Sequence, residues 1–254
     1  MELVLKAENL TKIYTRRGQP NFTAVNHVSF ELLQGECLGI VGESGSGKST
    51  VANMITRLTD VTEGKIILDG ENITKKKGKE LRQAYRKMQM VFQTPADSFD
   101  PRCTLGDGIG ESLHNLGRTR SEVKEEIAKL LVQCGLTPDF AERYPHQVSG
   151  GQCQRAAIAR ALAVKPMLLV CDEATSALDV TMQKEILELL GKLRRQKGAQ
   201  LSIIFICHDI ALVQKFCTRL FVMYKGKIVE QGNPDEIILN PQDDYTKRLI
   251  DSIL

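Results

Sequence analysis

The sequence predicts an α/β fold in which a mostly parallel sheet, covered on both faces, is divided once by a helical insertion. Three observations point there. Residues 37–41, 167–171 and 201–207 are nearly unbroken apolar runs of strand length, the pattern of strands buried on both faces. The first feeds a glycine-rich loop and a helical segment, and the second a helical segment from residue 180 to about 195. Between residues 95 and 165 the pattern is mainly helical, after which strand and helix alternate again.

Taken in order, residues 4–10, 25–33 and 65–68 read as short strands set off by polar or glycine-containing turns. After the strand at 37–41 comes a helix over 49–58, with Val51, Met54, Ile55 and Leu58 on one side. Helical character from Lys79 leads into an apolar strand at 88–92. In the long insertion Val123, Ile127, Leu130 and Leu131 recur at helical spacing, Pro138 and Pro145 interrupt, and a helix starts after Gly150-Gly151. Residues 221–224 and 227–229 form a hairpin around Lys225-Gly226, and a polar-faced helix ends the chain. One domain over 1–254 is expected: a core of residues 1–94 and 166–254, split by a helical lobe at 95–165.

Composition excludes several classes. The 254 residues carry 34 Lys and Arg against 31 Asp and Glu, too even a balance for a dedicated nucleic-acid binder. No apolar run approaches the roughly 20 residues a membrane-spanning helix needs, and residues 1–6 lack a secretory pattern. A cytoplasmic, soluble chain is expected. Cys37, Cys103, Cys134, Cys153, Cys171, Cys207 and Cys217 include no C-x-x-C pair, which predicts packing thiols in a reducing compartment and no metal or disulfide set.

Chemistry enters at Gly42-Glu43-Ser44-Gly45-Ser46-Gly47-Lys48-Ser49-Thr50, which fits G-x-x-x-x-G-K-[ST] throughout. Glycines let successive N–H groups curve around phosphate oxygens, and the following helix offers its unpaired donors to the same anion. Lys48 can reach the terminal phosphates, and the Ser49 hydroxyl can ligate magnesium. A second apolar strand ends in Asp172-Glu173. Asp172 can hold the magnesium shell and Glu173 can polarise water, their side chains diverging by strand alternation; a bare acidic pair could also merely begin a turn. His208, after the strand at 201–207, can contact a γ-phosphate or cap a helix. Gln93, after 88–92, can sense magnesium and the attacking water or sit solvated.

With these motifs in place, the chain resembles, end to end, the ATP-binding subunits of ABC transporters. Val148-Ser149-Gly150-Gly151-Gln152 is similar to the family's signature, lying between the phosphate loop and the acidic strand in the family order. A Ser-Gly-Gly turn otherwise reads as a helix N-cap. The resemblance implies an ATPase using ATP and Mg2+, on a P-loop NTPase core (RecA-like) with an antiparallel β subdomain and an inserted helical subdomain. It implies that Tyr14 stacks on adenine, although a tyrosine beside Thr15-Arg16-Arg17 also fits a surface position. Gln93 is then the Q-loop residue and a magnesium contact, Ser176-Ala177-Leu178-Asp179 the D-loop, His208 the switch histidine and Glu173 the catalytic carboxylate. Two subunits are implied to pack head to tail, so that Ser149 and Gly151, flanked by Gly150 and Gln152, meet ATP held on the other subunit's loop. Val148 stands where leucine is usual, a mild apolar change. Cys153 stands where a basic or polar residue is usual, which predicts a thiol-sensitive signature helix.

Phe92-Gln93-Thr94-Pro95, Ser98-Phe99-Asp100-Pro101-Arg102 and Tyr144-Pro145-His146-Gln147 further resemble the dipeptide, oligopeptide and nickel importer group. That implies a bacterial importer at the cytoplasmic face of the cell membrane, with two permease subunits, an extracellular substrate-binding protein and a second, related ATP-binding subunit; the isolated chain can pair with itself. Residues 97–102 are candidates for contact with a permease helix, or form a solvated loop. The end at Leu254, without the longer cysteine-containing tail of many peptide-importing members, points to nickel-like or compact peptide-like members. An exporter or lipid-extraction ATPase would share every nucleotide residue, whereas a soluble nucleic-acid ATPase of the family usually has two halves or a coiled-coil insertion. Lys75, Lys76, Lys77, Lys79, Arg82, Arg86 and Lys87 form the main basic run, read as a solvated edge rather than a nucleic-acid surface.

Overall fold

The computed structural model describes residues 2–15, 18, 20–176, 178–196 and 201–252. In chain order it runs β1 (Leu3–Tyr14), β2 (Phe22–Leu33), β3 (Cys37–Val41), α1 (Lys48–Ile55), β4 (Glu63–Leu68), β5 (Glu71–Asn72), α2 (Gly78–Lys87) and β6 (Met88–Val91). Then follow α3 (Leu105–Asn115), α4 (Arg120–Gln133), α5 (Gly150–Leu162), β7 (Leu168–Asp172), α6 (Val180–Arg195), β8 (Ser202–Ile206), α7 (Ile210–Phe216), β9 (Arg219–Tyr224), β10 (Lys227–Gly232), α8 (Pro234–Leu239) and α9 (Asp244–Asp251).

Two sheets form. An antiparallel one has the order β2-β1-β4-β5; the larger has the order β10-β9-β3-β8-β7-β6, parallel except for β10 at its edge. The apolar runs of the parallel strands divide strictly by alternation. Leu38, Ile40, Val170, Ile204, Phe221 and Met223 pack with α1 and the antiparallel sheet, while Cys37, Leu169, Cys171, Ile203, Phe205 and Val222 join the core shared with α3–α7. Both faces are covered, so the interiors of β3, β7, β8 and β9 carry no polar side chain.

The insertion is built from α3, α4 and α5, packed on one another and on the sheet. Its helices start on side-chain caps: Thr104 with Asp107, Thr119 with Glu122, and Ser149 with Gln152, each a reciprocal capping box. Pro138 and Pro145 open short 3-10 turns between α4 and α5. One boundary departs from expectation. The helix after the glycine loop stops at Ile55, and Leu58 is 53% exposed rather than on its buried side. Arg57 takes φ 58° and its buried Nε donates to the Ile73 carbonyl at 3.1 Å, which turns the chain out of the helix.

Candidate functional site

Because β3, β8, β7 and β6 are adjacent and parallel, their C-terminal ends line one edge of the sheet. That edge gathers Gly42 after β3, His208 after β8, Asp172 and Glu173 at the end of β7, and Gln93 after β6. Open parallel sheets bind ligands at this edge, where helix N-termini also point.

The loop over residues 42–50 is shaped by close backbone approach. Gly42 has φ 150° and an added Cβ would lie 2.2 Å from the Met223 carbonyl oxygen; Gly47 has φ 105° and its Cβ would lie 2.5 Å from that of Ala24. Only glycine fits either position. Ser46 is buried, its carbonyl accepting the Gly226 N–H at 2.9 Å, while Ser44 and Gly45 are exposed at the crest. Helix α1 starts on Gly47 with no side-chain cap and no acidic residue in its first turn, which leaves the donors of Lys48, Ser49 and Thr50 uncommitted. Lys48 is buried, and its Nζ donates to the carbonyls of Gly42 at 2.7 Å and Glu43 at 2.9 Å. Burial pushes its pKa down, against the opposing pull of Glu173 and Asp172.

The Ser49 hydroxyl donates to Asp172 Oδ1 at 3.0 Å, joining the loop to the acidic strand end. Burial raises the Asp172 pKa, opposed by the Ser49 bond and reinforced by Glu173. A hydroxyl and a half-buried carboxylate side by side are hard oxygen donors of the kind magnesium takes, and a cation there would offset the cost of burying the carboxylate. Gln93 Nε2 donates to Glu173 Oε2 at 3.0 Å and to Ser176 Oγ at 3.1 Å, so it is held rather than loosely solvated.

Strand alternation does not explain how Asp172 and Glu173 diverge. β7 ends at Asp172, and Glu173 takes the left-handed conformation at φ 48°, which costs a non-glycine residue about 1–2 kcal/mol. The strain is held by Glu173 N–H to the Ile206 carbonyl at 3.0 Å, and by the Ser176 hydroxyl and N–H, which both donate to the Glu173 carbonyl. Left-handed turns at non-glycine residues concentrate where a side chain must be aimed.

His208 is exposed beside this group, and capping falls to its neighbour: Asp209 accepts from the N–H groups of Ala211 and Leu212 at the start of α7. The ring of His208 forms no hydrogen bond among the described residues. Ser149 does cap α5, accepting the Gln152 N–H at 3.3 Å while Gln152 Oε1 accepts the Ser149 N–H at 2.9 Å. This turn makes no hydrogen bond to the phosphate loop among the described residues. Its neighbours are Leu178, 3.8 Å from a Cβ at Gly150, and Met182, which a Cβ at Gly151 would strike. Asp179 caps α6 through the Met182 N–H; Ala177, between Ser176 and Leu178, lies outside the described residues, as do Arg16 and Arg17 near Tyr14. Tyr14 ends β1 at 41% exposure, with the Lys12 ammonium 5.0 Å from its ring centre.

One expectation changes. Cys153 is only 2% exposed and burial pushes its thiol up to about 11, so it is not a reactive group of the signature helix. None of the described side chains of residues 98–102 lines the groove beside them. Asp100 and Arg102 pair with each other, the side chain of Asp97 lies outside what is described, and Arg160 holds the Ser98 carbonyl and the Phe99 ring. The adjoining groove is lined instead by Leu58, Met88, Met90, Phe92 and Arg160, and continues past Lys79, Arg82 and Arg86.

A sequence profile described as ABC transporter matches residues 25–176, more than half of the chain and the stretch holding every site residue expected from the sequence except Tyr14, Asp179 and His208. The chain belongs to the ABC transporter family. It is 44% identical over 256 residues to the oligopeptide transport ATP-binding protein OppF of Bacillus subtilis, covering 99% of this chain and 83% of that one. It is 43% identical over 260 residues to the glutathione import ATP-binding protein GsiA of Pectobacterium atrosepticum, covering 99% of this chain and 41% of that one. Among solved structures, a dimeric post-hydrolysis state of the ATP-binding cassette MJ0796 bound to ADP and Pi superposes with a TM-score of 0.82 at 31% identity, over 91% of this chain and 98% of that one. The fold is therefore the ABC cassette expected from the motifs, a P-loop core with an antiparallel sheet and a helical insertion, and the chain is an ABC ATPase. Among the described residues of this ABC ATPase no helix is long and apolar enough to cross a membrane. Tyr245, bonded to the phosphate loop, escaped the sequence reading because nothing in its local pattern marks a residue so distant from Gly42.

Proposed function

We propose that this chain is one ATP-hydrolysing subunit of a bacterial peptide importer, held at the cytoplasmic face of the membrane by two permease subunits. An extracellular binding protein delivers the cargo, and a second, related ATP-binding subunit completes the motor. The observation carrying the chemistry is the convergence of Ser49, Asp172, Glu173 and Gln93 at one sheet edge beside an uncapped helix start. The names of the relatives, oligopeptide and glutathione import, favour peptides over nickel as cargo. Lys76 and Lys87 are paired with Glu71 and Asp69, which favours a solvated edge over a nucleic-acid surface for the basic run.

In this reading the N–H groups of residues 45–50 and the Lys48 ammonium bind the phosphates of ATP, and Tyr14 offers its open ring face to adenine. Ser49, Asp172 and the free Gln93 oxygen hold Mg2+, which when bound offsets negative charge on the terminal phosphates. Glu173 accepts a proton from the attacking water, Gln93 aims that carboxylate, and His208 contacts the γ-phosphate. Ser149, Gly150, Gly151 and Gln152 serve the neighbour's ATP, with Asp179 beside them, so closure assembles each site from two chains. Residues 95–165 act as the lobe that carries the signature turn. The groove between Leu58, Phe92 and the basic side chains of α2 is the seat for a permease helix, an apolar floor with a cationic rim.

The test is purification of the native membrane complex, followed by a ligand screen of its external binding protein. Recovery with two permeases and a peptide-binding protein is expected. A complex without any external binding protein, or a binding protein that takes nickel and not peptides, would contradict the reading.

A further inference from the structure

We propose that Tyr245, near the far end of the chain, is a positioning residue for nucleotide binding: its phenol fixes the first peptide of the phosphate loop and, through it, the Lys48 ammonium. The inference rests on residues 42–50 being the nucleotide loop and adds a residue from outside every motif of the site.

The peptide joining Gly42 to Glu43 is gripped on both edges. Its N–H, from Glu43, donates to the Tyr245 hydroxyl oxygen at 2.8 Å across 202 positions of sequence. Its C=O, from Gly42, accepts the Lys48 Nζ at 2.7 Å. The N–H and C=O of a trans peptide point in opposite directions, so the phenol and the ammonium face each other across one rigid plane. Rotating that plane would break both bonds. Each bond also polarises the peptide in the sense that strengthens the other.

The phenol is itself held. Tyr245 is 4% exposed, and its ring stacks on Tyr224 with centres 4.1 Å apart. Tyr224 ends β9, directly before the turn whose Gly226 N–H donates to the Ser46 carbonyl at 2.9 Å. The start of α9 is tied back to the same hairpin, since the Glu230 carboxylate accepts the N–H groups of Gln242 at 2.9 Å and Asp243 at 3.1 Å. The β9–β10 hairpin therefore braces the loop at two points, directly at Ser46 and through the Tyr224–Tyr245 stack at Glu43.

Why this serves binding more than stability follows from exposure. Glu43 is exposed and its bond to the phenol is only half-buried, so water can replace the phenol on the N–H at modest cost to the fold. What is lost is a preset loop, and a loop that must be ordered on binding weakens affinity.

The test uses the full chain with Tyr245→Phe, which keeps the ring and its stack and removes one oxygen. Titration with a fluorescent ATP analogue and steady-state hydrolysis of Mg-ATP are the readouts. Kd and KM are expected to rise about two- to tenfold, the range of one lost hydrogen bond, with the effect falling on KM rather than kcat. Unchanged Kd, or a change confined to kcat or to the melting temperature, would overturn the proposal. Tyr245→Ala also removes the stack and should weaken binding further; if it fails to fold, the phenylalanine variant still decides. Lys48→Ala separates the two layers: if it retains full analogue affinity, the loop assignment itself fails, whatever Tyr245 does.

Discussion

The Ser49 hydroxyl donates to Asp172 Oδ1 at 3.0 Å although 123 positions separate the two residues. One starts the helix after the phosphate loop and the other ends β7, so the bond exists only because β8 alone lies between β3 and β7 in the sheet. Two oxygen donors so placed suit a magnesium ion. Ser49→Ala and Asp172→Asn should each raise the half-saturating Mg2+ concentration for hydrolysis on the order of 10–100-fold, the usual scale for disturbing a metal's support. A Mg2+ titration of ATPase rate checks this, and unchanged half-saturation in both variants would count against the assignment.

The same pair sets a pH dependence. Burial lifts the Asp172 pKa above its ordinary 3.8, so protons compete with the metal at a higher pH than at a free aspartate. Burial lowers the Lys48 pKa below 10.5, so the ammonium charge is lost earlier as pH rises. Mg2+ affinity should therefore weaken on acidification in a window above 3.8, and ATP affinity should weaken on alkalinisation in a window below 10.5. Titrations of Mg2+ and of ATP across pH, with Asp172→Asn flattening only the acid limb, measure both.

Glu173 is expected to act in the hydrolytic step and not in binding. Glu173→Gln should retain ATP affinity and lose about 10²–10⁴-fold in kcat, the range for removing a general base. Gln93→Ala frees Glu173 from its 3.0 Å partner and should lower kcat by less than the Glu173 change itself. Binding and single-turnover rates measured side by side separate the two; normal turnover of Glu173→Gln would reject the role.

Two glycines should fail in different ways. Alanine at Gly47 meets the Ala24 carbonyl at 2.5 Å with φ at 105°, and neither backbone can give, so nucleotide binding should be lost. Alanine at Gly151 meets only the flexible end of Met182, which can swing aside. That variant should fold and bind ATP on its own loop while hydrolysis in the paired assembly falls. Loss of ATP binding by the Gly151 variant would contradict the division of labour.

Cys153 gives a negative prediction. Its thiol is buried and raised to about 11, so alkylation of the native protein at neutral pH should leave ATPase activity intact and modify the exposed Cys103 instead. Peptide mapping after brief alkylation reports which thiol reacted.

Much of this was legible in the sequence because the chemistry sits at strand ends. Strands such as 37–41 and 167–171 are apolar on both faces, so the polar residues that follow them mark the sheet edge. The N-cap at Ser149 was local and was offered by its Ser-Gly-Gly turn. What could not be read was set by distant backbone. The left-handed turn at Glu173 depends on the Ile206 carbonyl from a neighbouring strand, and the end of α1 at Ile55 depends on Arg57 reaching Ile73. The grip of Tyr245 on Glu43 depends on where the final helix docks, which no periodicity encodes.

The central claim is that each ATP lies between the loop of one chain and the Ser149 turn of another. The most direct measurement is photolysis of the intact transporter trapped with Mg-ATP and orthovanadate, with cleavage sites in this chain mapped by mass spectrometry. Vanadate at the γ-phosphate position should cut this chain in two places, near Ser49 and near Ser149. Cleavage at the loop alone, in a fully trapped complex, would contradict the account.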